Sequence, residues 1–257
     1  MSLHSVVVAS AITVGDHPTF KLFGLTFNRD TLESTAVAGA IVVILGLLVA
    51  RGANSRNPTK LQLVFEMLVD WVNKQVEESM GIAVAPFVVP FSVALFFFIL
   101  VSNWLEVIPS GHNPEYLPAP TADVNLTYAL ALLVIIPVHI LSIRRRGIRG
   151  YIAHYFKPFP LFFPINVIEE LAKPLTLALR LFGNIFAGGI MILLISRLPI
   201  PAVPLGDLAW KLFDMFIGAI QAFIFSLLTI LYFGAASTIE HDEPSTAVSH
   251  DAVPSTR

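Results

Sequence analysis

The charges of this chain fall in short clusters, and the clusters are separated by apolar runs about as long as a lipid bilayer is thick. Residues 35–50 carry no charge and are followed by Arg51, Arg56 and Lys60, while the uncharged residues 124–143 stop at Arg144, Arg145, Arg146 and Arg149. With 55% hydrophobic residues, 13% charged residues and a mean hydropathy of +0.75, the chain lacks the charged coat of a water-soluble domain. The pattern predicts an all-α polytopic membrane protein. It should have about five membrane helices, one amphipathic surface helix, and two long tilted C-terminal helices forming a hairpin.

Basic flanks stay on the cytoplasmic side of a membrane, so they orient the spans. The N-terminal segment, residues 1–34, is expected to face outward and the first span, residues 35–50, to run inward. Its start lacks the basic flank of a secretory signal and reads as retained. In residues 61–80 apolar side chains recur at Leu61, Val64, Phe65, Leu68, Trp71, Val72 and Val76, with Glu66, Asp70, Lys74, Glu77 and Glu78 elsewhere, which predicts a helix lying on the cytoplasmic surface. A second span, residues 87–108, leads into a loop without Lys or Arg, and the third, residues 124–143, returns to the arginine cluster. Segments 164–197 and 205–238 both exceed the roughly 20 residues of a perpendicular span and must tilt or bend. Pro199, Pro201 and Pro204 make the turn between them. Residues 35–238 thus form one membrane domain, and residues 239–257 read as a disordered cytoplasmic tail. The hydropathy pattern shows no inverted repeat of the kind many carriers have.

Several functions drop out. A net charge of -2 without a basic, aromatic-rich face argues against a nucleic-acid partner. The absence of cysteine removes disulfides and thiolate metal sites. No GxSxG, HExxH or P-loop motif occurs, so the chain by itself is read as non-catalytic, with no cofactor and no metal. His139 and Ser196 have no acid–base partner close by in sequence and read as packing or backbone-bonding residues; His112 reads as a loop residue.

The charges left inside the spans are the informative ones. Arg180 stands near the middle of its helix, too deep to snorkel, where a guanidinium costs at least about 2.5 to 3.5 kcal/mol. It must meet water or a carboxylate, either as a static ion pair or as a working site. Steps of three and four place Glu169, Lys173, Thr176, Arg180 and Asn184 on one helical face. Glu169, Glu170 and Lys173 suit an interfacial salt-bridge cluster as well as a conducting role. Ala187, Gly188 and Gly189 permit close approach of a neighbour. A second stripe joins Lys211, Asp214, Gly218 and Gln221. Glu106, Asp123 and Asn125 lie at the outer ends of two spans, either as ordinary interfacial residues or, with Asp214 and Gln221, as the lining of an outward vestibule.

The segments LAKPLTLALRLFGNIFAGG (residues 171–189) and IQAFIFSLLTILYF (residues 220–233) closely resemble the last two helices of ATP synthase subunit a. PTADVNLT (residues 120–127), NWLEVIP (residues 103–109) and PINVIEELAKP (residues 164–174) extend the likeness to nearly the whole chain outside its termini, and IEELAKP, LFGNIFAGG and RRGI look most similar to actinobacterial versions. The resemblance implies a proton-conducting stator in a bacterial plasma membrane, partnered by a ring of c subunits and by b-type peripheral stalk subunits. It implies that Arg180 faces the ring's membrane-embedded carboxylates between two offset half-channels. Glu106, Asp123, Asn125, Asp214 and Gln221 match the outer half-channel, Asn184 lies beside Arg180, and Glu169, Glu170 and Lys173 match the cytoplasmic side. One departure is Gly189, where many relatives carry a carboxylate or histidine. The alternative reading from the residues alone is an anion channel or carrier with Arg180 as its substrate site.

Overall fold

The computed structural model describes residues 19–22, 25–54, 58–105, 120–156 and 159–237. Glu106, His112 and the segment 239–257 lie outside the described residues, as does most of segment 1–34. Among the described residues the regular structure is helical except for a short antiparallel pair, β1 (Thr19–Leu22) and β2 (Leu25–Asn28), in which Thr19 stands opposite Asn28 and Leu22 opposite Leu25. The hydropathy reading did not foresee this pair, because short strands at a terminus leave no mark in a window as long as a membrane span.

Six helices follow: α1 (Arg29–Gly52), α2 (Lys60–Met80), α3 (Val88–Leu105), α4 (Val124–Tyr155), α5 (Phe163–Ile195) and α6 (Val203–Ser237). All but α2 are long and apolar enough to cross a membrane. A 3-10 turn, Pro120–Ala122, leads into α4. Helix α4 runs past the arginine cluster to Tyr155, because Gly147 takes a φ of 71°, open to glycine at little cost, and lets a second helical stretch follow the first. Pro137 in α4 and Pro174 in α5 each remove one backbone bond, which loosens these helices where they pass through the bundle.

Helix α6 is the axis of the packing. Its Ala222, Phe225, Ile230 and Phe233 join Val72 and Val76 of α2, Leu95 and Ile99 of α3, Val134 and Val138 of α4, and Leu177 and Leu181 of α5 in one core. Phe233 meets the rings of Phe87 and Phe91 edge-on at 5.5 and 6.1 Å. The apolar stripe expected on α2 is only half covered. Val72 and Val76 are buried and Phe65 stacks on Phe97 at 4.0 Å, but Leu61 and Val64 are exposed.

The spans differ in how much of themselves this chain covers. The most apolar stretch of α6 is 44% buried, whereas that of α5 is only 19% buried, which leaves one side of α5 for lipid or another polypeptide.

Candidate functional site

Helix α5 turns Leu177, Ala178 and Leu181 into the core and Leu175, Leu179 and Phe186 away from it, and Arg180 is exposed at the edge between the two sides. Among the described residues no carboxylate lies within ion-pair distance of Arg180. A permanent cation is therefore presented outward from an apolar helix face without an internal counter-charge. Position 189 is also open, since a Cβ built there meets nothing within 4 Å.

The stripe predicted along α5 divides. Lys173 turns inward and pairs with Glu170 at 2.8 Å, not with Glu169, which is exposed. Thr176 bonds back to the carbonyls of Ala172 and Lys173 at 2.8 and 3.1 Å. Asn184 is helical, but its side chain lies outside the described residues. At 3.6 residues per turn Lys173 and Arg180 lie within about 20° of one another around the helix, so they differ in neighbours and not in direction: Lys173 has Glu170 one turn before it.

The stripe on α6 divides as well. Lys211 pairs with Asp207 at 3.1 Å, leaving Asp214 half-buried with no polar partner among the described residues. Gln221 is buried, and its Nε2 has no partner among the described residues. At Gly218 helix α6 comes close to α3. Asn103 Nδ2 donates to the Gly218 carbonyl at 3.2 Å, Thr121 Oγ1 donates to Asn103 Oδ1 at 2.9 Å, and a Cβ on Gly218 would come within 3.0 Å of Asn103 Cβ. Trp104 Nε1 adds a bond to the Met215 carbonyl at 3.1 Å. This end of the α3–α6 seam is therefore polar, whereas its middle is aromatic and aliphatic.

Asp123 caps α4. Its Oδ1 accepts from the Asn125 backbone N–H at 2.8 Å and from Asn125 Nδ2 at 3.0 Å, and its Oδ2 accepts from Asn28 Nδ2 at 2.6 Å and Thr31 Oγ1 at 2.8 Å. Burial pushes this carboxyl up, but the bonds from Asn125, Asn28 and Thr31 favour the anion and together hold it below the usual carboxylate range. Its acceptor sites are filled, and it ties the start of α1 to the start of α4.

At the other end of the bundle, the one carrying Arg144 to Arg149, helices α4, α5 and α6 enclose a cavity of about 60 Å³. His139, Ser142, Arg146, Tyr151, Tyr155, Glu170, Lys173 and Tyr232 line it. His139 Nδ1 stands 3.8 Å from Glu170 Oε1 and 3.2 Å from the Tyr151 hydroxyl, which is 2.7 Å from that of Tyr155. Arg146 Nη2 donates to the Ala235 carbonyl at 3.0 Å, closing the cavity against α6.

A family model described as ATP synthase A chain matches residues 32–234. The chain belongs to this family. Among curated relatives, the ATP synthase subunit a of Acidothermus cellulolyticus is 55% identical over 255 residues, covering 96% of this chain and 94% of its own. That of Mycobacterium tuberculosis is 46% identical over 244 residues, covering 92% and 98%, and that of Desulforamulus reducens is 37% identical over 226 residues, covering 86% and 84%. The actinobacterial likeness is thus shown at the level of the whole chain.

Every candidate from Glu106 to Gln221 falls inside the span that the ATP synthase A chain family model matches. Sequence reasoning set His139 aside as a packing residue, and the structure corrects this. Its acid partner Glu170 comes from α5, far away in sequence, so no local signal carried the pairing. Ser196 does bond to backbone, donating to the Leu193 carbonyl at 2.6 Å.

Proposed function

We propose that this chain is the proton-conducting stator subunit of a rotary, F-type ATP synthase in a bacterial plasma membrane, where Arg180 faces a ring of c subunits across the uncovered side of α5. The observation that carries this reading is the outward-facing, acid-free guanidinium on a helix only 19% buried, in a chain of this family. A cation so placed in lipid is costly, and a mobile carboxylate on a second polypeptide relieves the cost.

The positions of the other polar groups support two half-channels. At roughly 1.5 Å per residue, Glu170 stands about 15 Å along α5 from Arg180 toward the arginine-rich end. Helix α6 runs antiparallel, so the same rise places Asp214 about 27 Å from Tyr232, toward the end that holds Asp123. Polar groups therefore flank Arg180 at two depths. The arginine-rich end is taken as cytoplasmic, with the N-terminus outside and the C-terminus inside. On the outer side Asp214 and Gln221 carry the proton to the ring, with Glu106 at the mouth; Asn184 accompanies Arg180; Glu169, Glu170 and Lys173 serve the cytoplasmic side. Asp123 and Asn125 wall the outer side.

In synthesis, a ring carboxylate reaching Arg180 is favoured as the anion and gives its proton to the cytoplasmic side. Past Arg180 it is reprotonated from the outer side, becomes neutral, and re-enters lipid at much lower cost. The fixed cation repels a proton moving straight from one half-channel to the other. Each proton supplies about 2.3 kcal/mol per 100 mV, so several are needed for each ATP made elsewhere in the complex. The chain itself performs no bond chemistry, and b-type stalk subunits hold it against the turning ring.

The test is ATP-driven acidification of inverted vesicles carrying the whole complex. Arg180→Ala should abolish it while ring and stator still assemble; pumping at the wild-type rate would remove the reading.

A further inference from the structure

Neither the family match nor the sequence motifs give a role to the histidine in the α4–α5–α6 cavity. We infer that His139 is a proton-transfer residue of the arginine-rich end, linking Glu170 to the hydroxyls of Tyr151 and Tyr155. This rests on the proton-stator reading above and deepens it.

The geometry defines a chain of groups. Glu170 has two oxygens with different neighbours: Oε2 is held by Lys173 Nζ at 2.8 Å, and Oε1 faces His139 Nδ1 at 3.8 Å. On the other side of Nδ1 stands the Tyr151 hydroxyl at 3.2 Å, then that of Tyr155 at 2.7 Å, on the last residue of α4. The path therefore starts on α5 inside the bundle and finishes where α4 ends. The cavity beside it, about 60 Å³, has room for a few water molecules. The side chains of His139 and Glu170 are 29% and 23% exposed, so solvent reaches them without flooding the site.

Charged groups of both signs face the ring, from α4 and α5, and α6 adds a neutral one. Glu170 on α5 favours the imidazolium, Lys173 on α5 and Arg146 on α4 oppose it, and Tyr151 and Tyr155 of α4 and Tyr232 of α6 are neutral hydrogen-bonding neighbours. A histidine is the side chain that changes charge between about pH 5 and 8 without special help.

In synthesis, the Glu170 and His139 side chains close from 3.8 Å to hydrogen-bond distance and a proton on Glu170 passes to Nδ1 of the neutral ring, leaving carboxylate and imidazolium. Nδ1 then gives a proton to the Tyr151 oxygen as the Tyr151 proton moves to the Tyr155 oxygen, and the Tyr155 proton leaves on water. Charge moves only as the proton moves, the imidazole returns to neutral, and no other reactant is consumed. In ATP-driven pumping the same steps run backwards, taking protons from the cytoplasmic side.

Inverted vesicles of the whole complex expose this end to the bulk solution, so bulk pH titrates it directly. The rate of ATP-driven acidification is measured from about pH 6 to about pH 8 for wild type and His139→Gln, and their ratio cancels pH effects common to both. Wild type should be on the order of threefold to tenfold faster at the acid end, a modest share of what a positioned acid–base group can supply, with the advantage shrinking toward pH 8. A ratio that stays flat across the range overturns the inference. Tyr151→Phe decides the matter if His139→Gln does not assemble. The Tyr151 hydroxyl links Nδ1 to Tyr155, so its loss should slow acidification by the same order at the acid end of the range, and a rate equal to wild type overturns the chain of groups. Arg180→Ala in the same vesicles separates the two failures. Pumping that survives Arg180→Ala refutes the stator reading itself, whereas blocked Arg180→Ala with a flat His139→Gln ratio refutes only the role of His139.

Discussion

Replacing Asp123 by Ala tests whether this carboxylate is a clasp or a proton carrier. Four donors converge on its two oxygens, two from α1 and its preceding residue and two from Asn125, and the residue is only 7% exposed. A hydrogen bond to a charged acceptor is worth about 1.5 to 3 kcal/mol, and loss of a helix cap about 1 kcal/mol. The four share one acceptor group and are not additive, so Asp123→Ala should cost about 3 to 5 kcal/mol. At roughly 2 to 4 °C per kcal/mol for a chain of this size, thermal unfolding of the detergent-solubilised complex should fall by on the order of 10 °C. Proteolysis should also release the α1 segment first. The pH dependence has a definite sign. A carboxyl held below its usual range adds stability that is fully present above the unfolded pKa of about 3.9 and is lost as pH falls through the lower folded value. The gap between wild type and variant should therefore persist at neutral pH and close only in strong acid. A variant that melts with the wild type refutes the clasp. So does Asp123→Asn that blocks proton pumping with unchanged melting, because a carboxylate with its lone pairs filled should not be a neutral-pH relay.

Two further outcomes follow from the α3–α6 seam. Asp214→Asn removes the one titratable group described on the outer half of α6 that lacks a partner, and should slow ATP-driven acidification at least about tenfold without loss of assembly; an unaltered rate would move the outer path elsewhere. Gly218→Ala places a methyl 3.0 Å from Asn103 Cβ, and Asn103 is held by Thr121 and the Gly218 carbonyl, so it cannot swing aside. Destabilisation of about 1 to 3 kcal/mol is expected in thermal unfolding, and a variant as stable as wild type would show that the seam gives way.

Hydropathy and charge by themselves determined that this chain is an all-α membrane protein with five spans, and motif likeness determined its family. Both signals are local: an apolar run must match the bilayer wherever it occurs, and LFGNIFAGG reads the same without its neighbours. Arg180 stood out for the same reason, since a charge inside an apolar run is anomalous at the level of the run. What each polar side chain touches was decided by tertiary structure alone. The sequence placed Glu169, Lys173 and Arg180 on one stripe, and only helix packing shows that Lys173 pairs with Glu170, that His139 of another helix stands beside that pair, and that Arg180 stays exposed. It left Asp123 as either an interfacial residue or part of a vestibule, and only the return of α1 to the head of α4 shows the donors that surround the carboxylate. Helical periodicity gives an angle around one axis; the partner at that angle belongs to another helix, and the chain's fold brings it there.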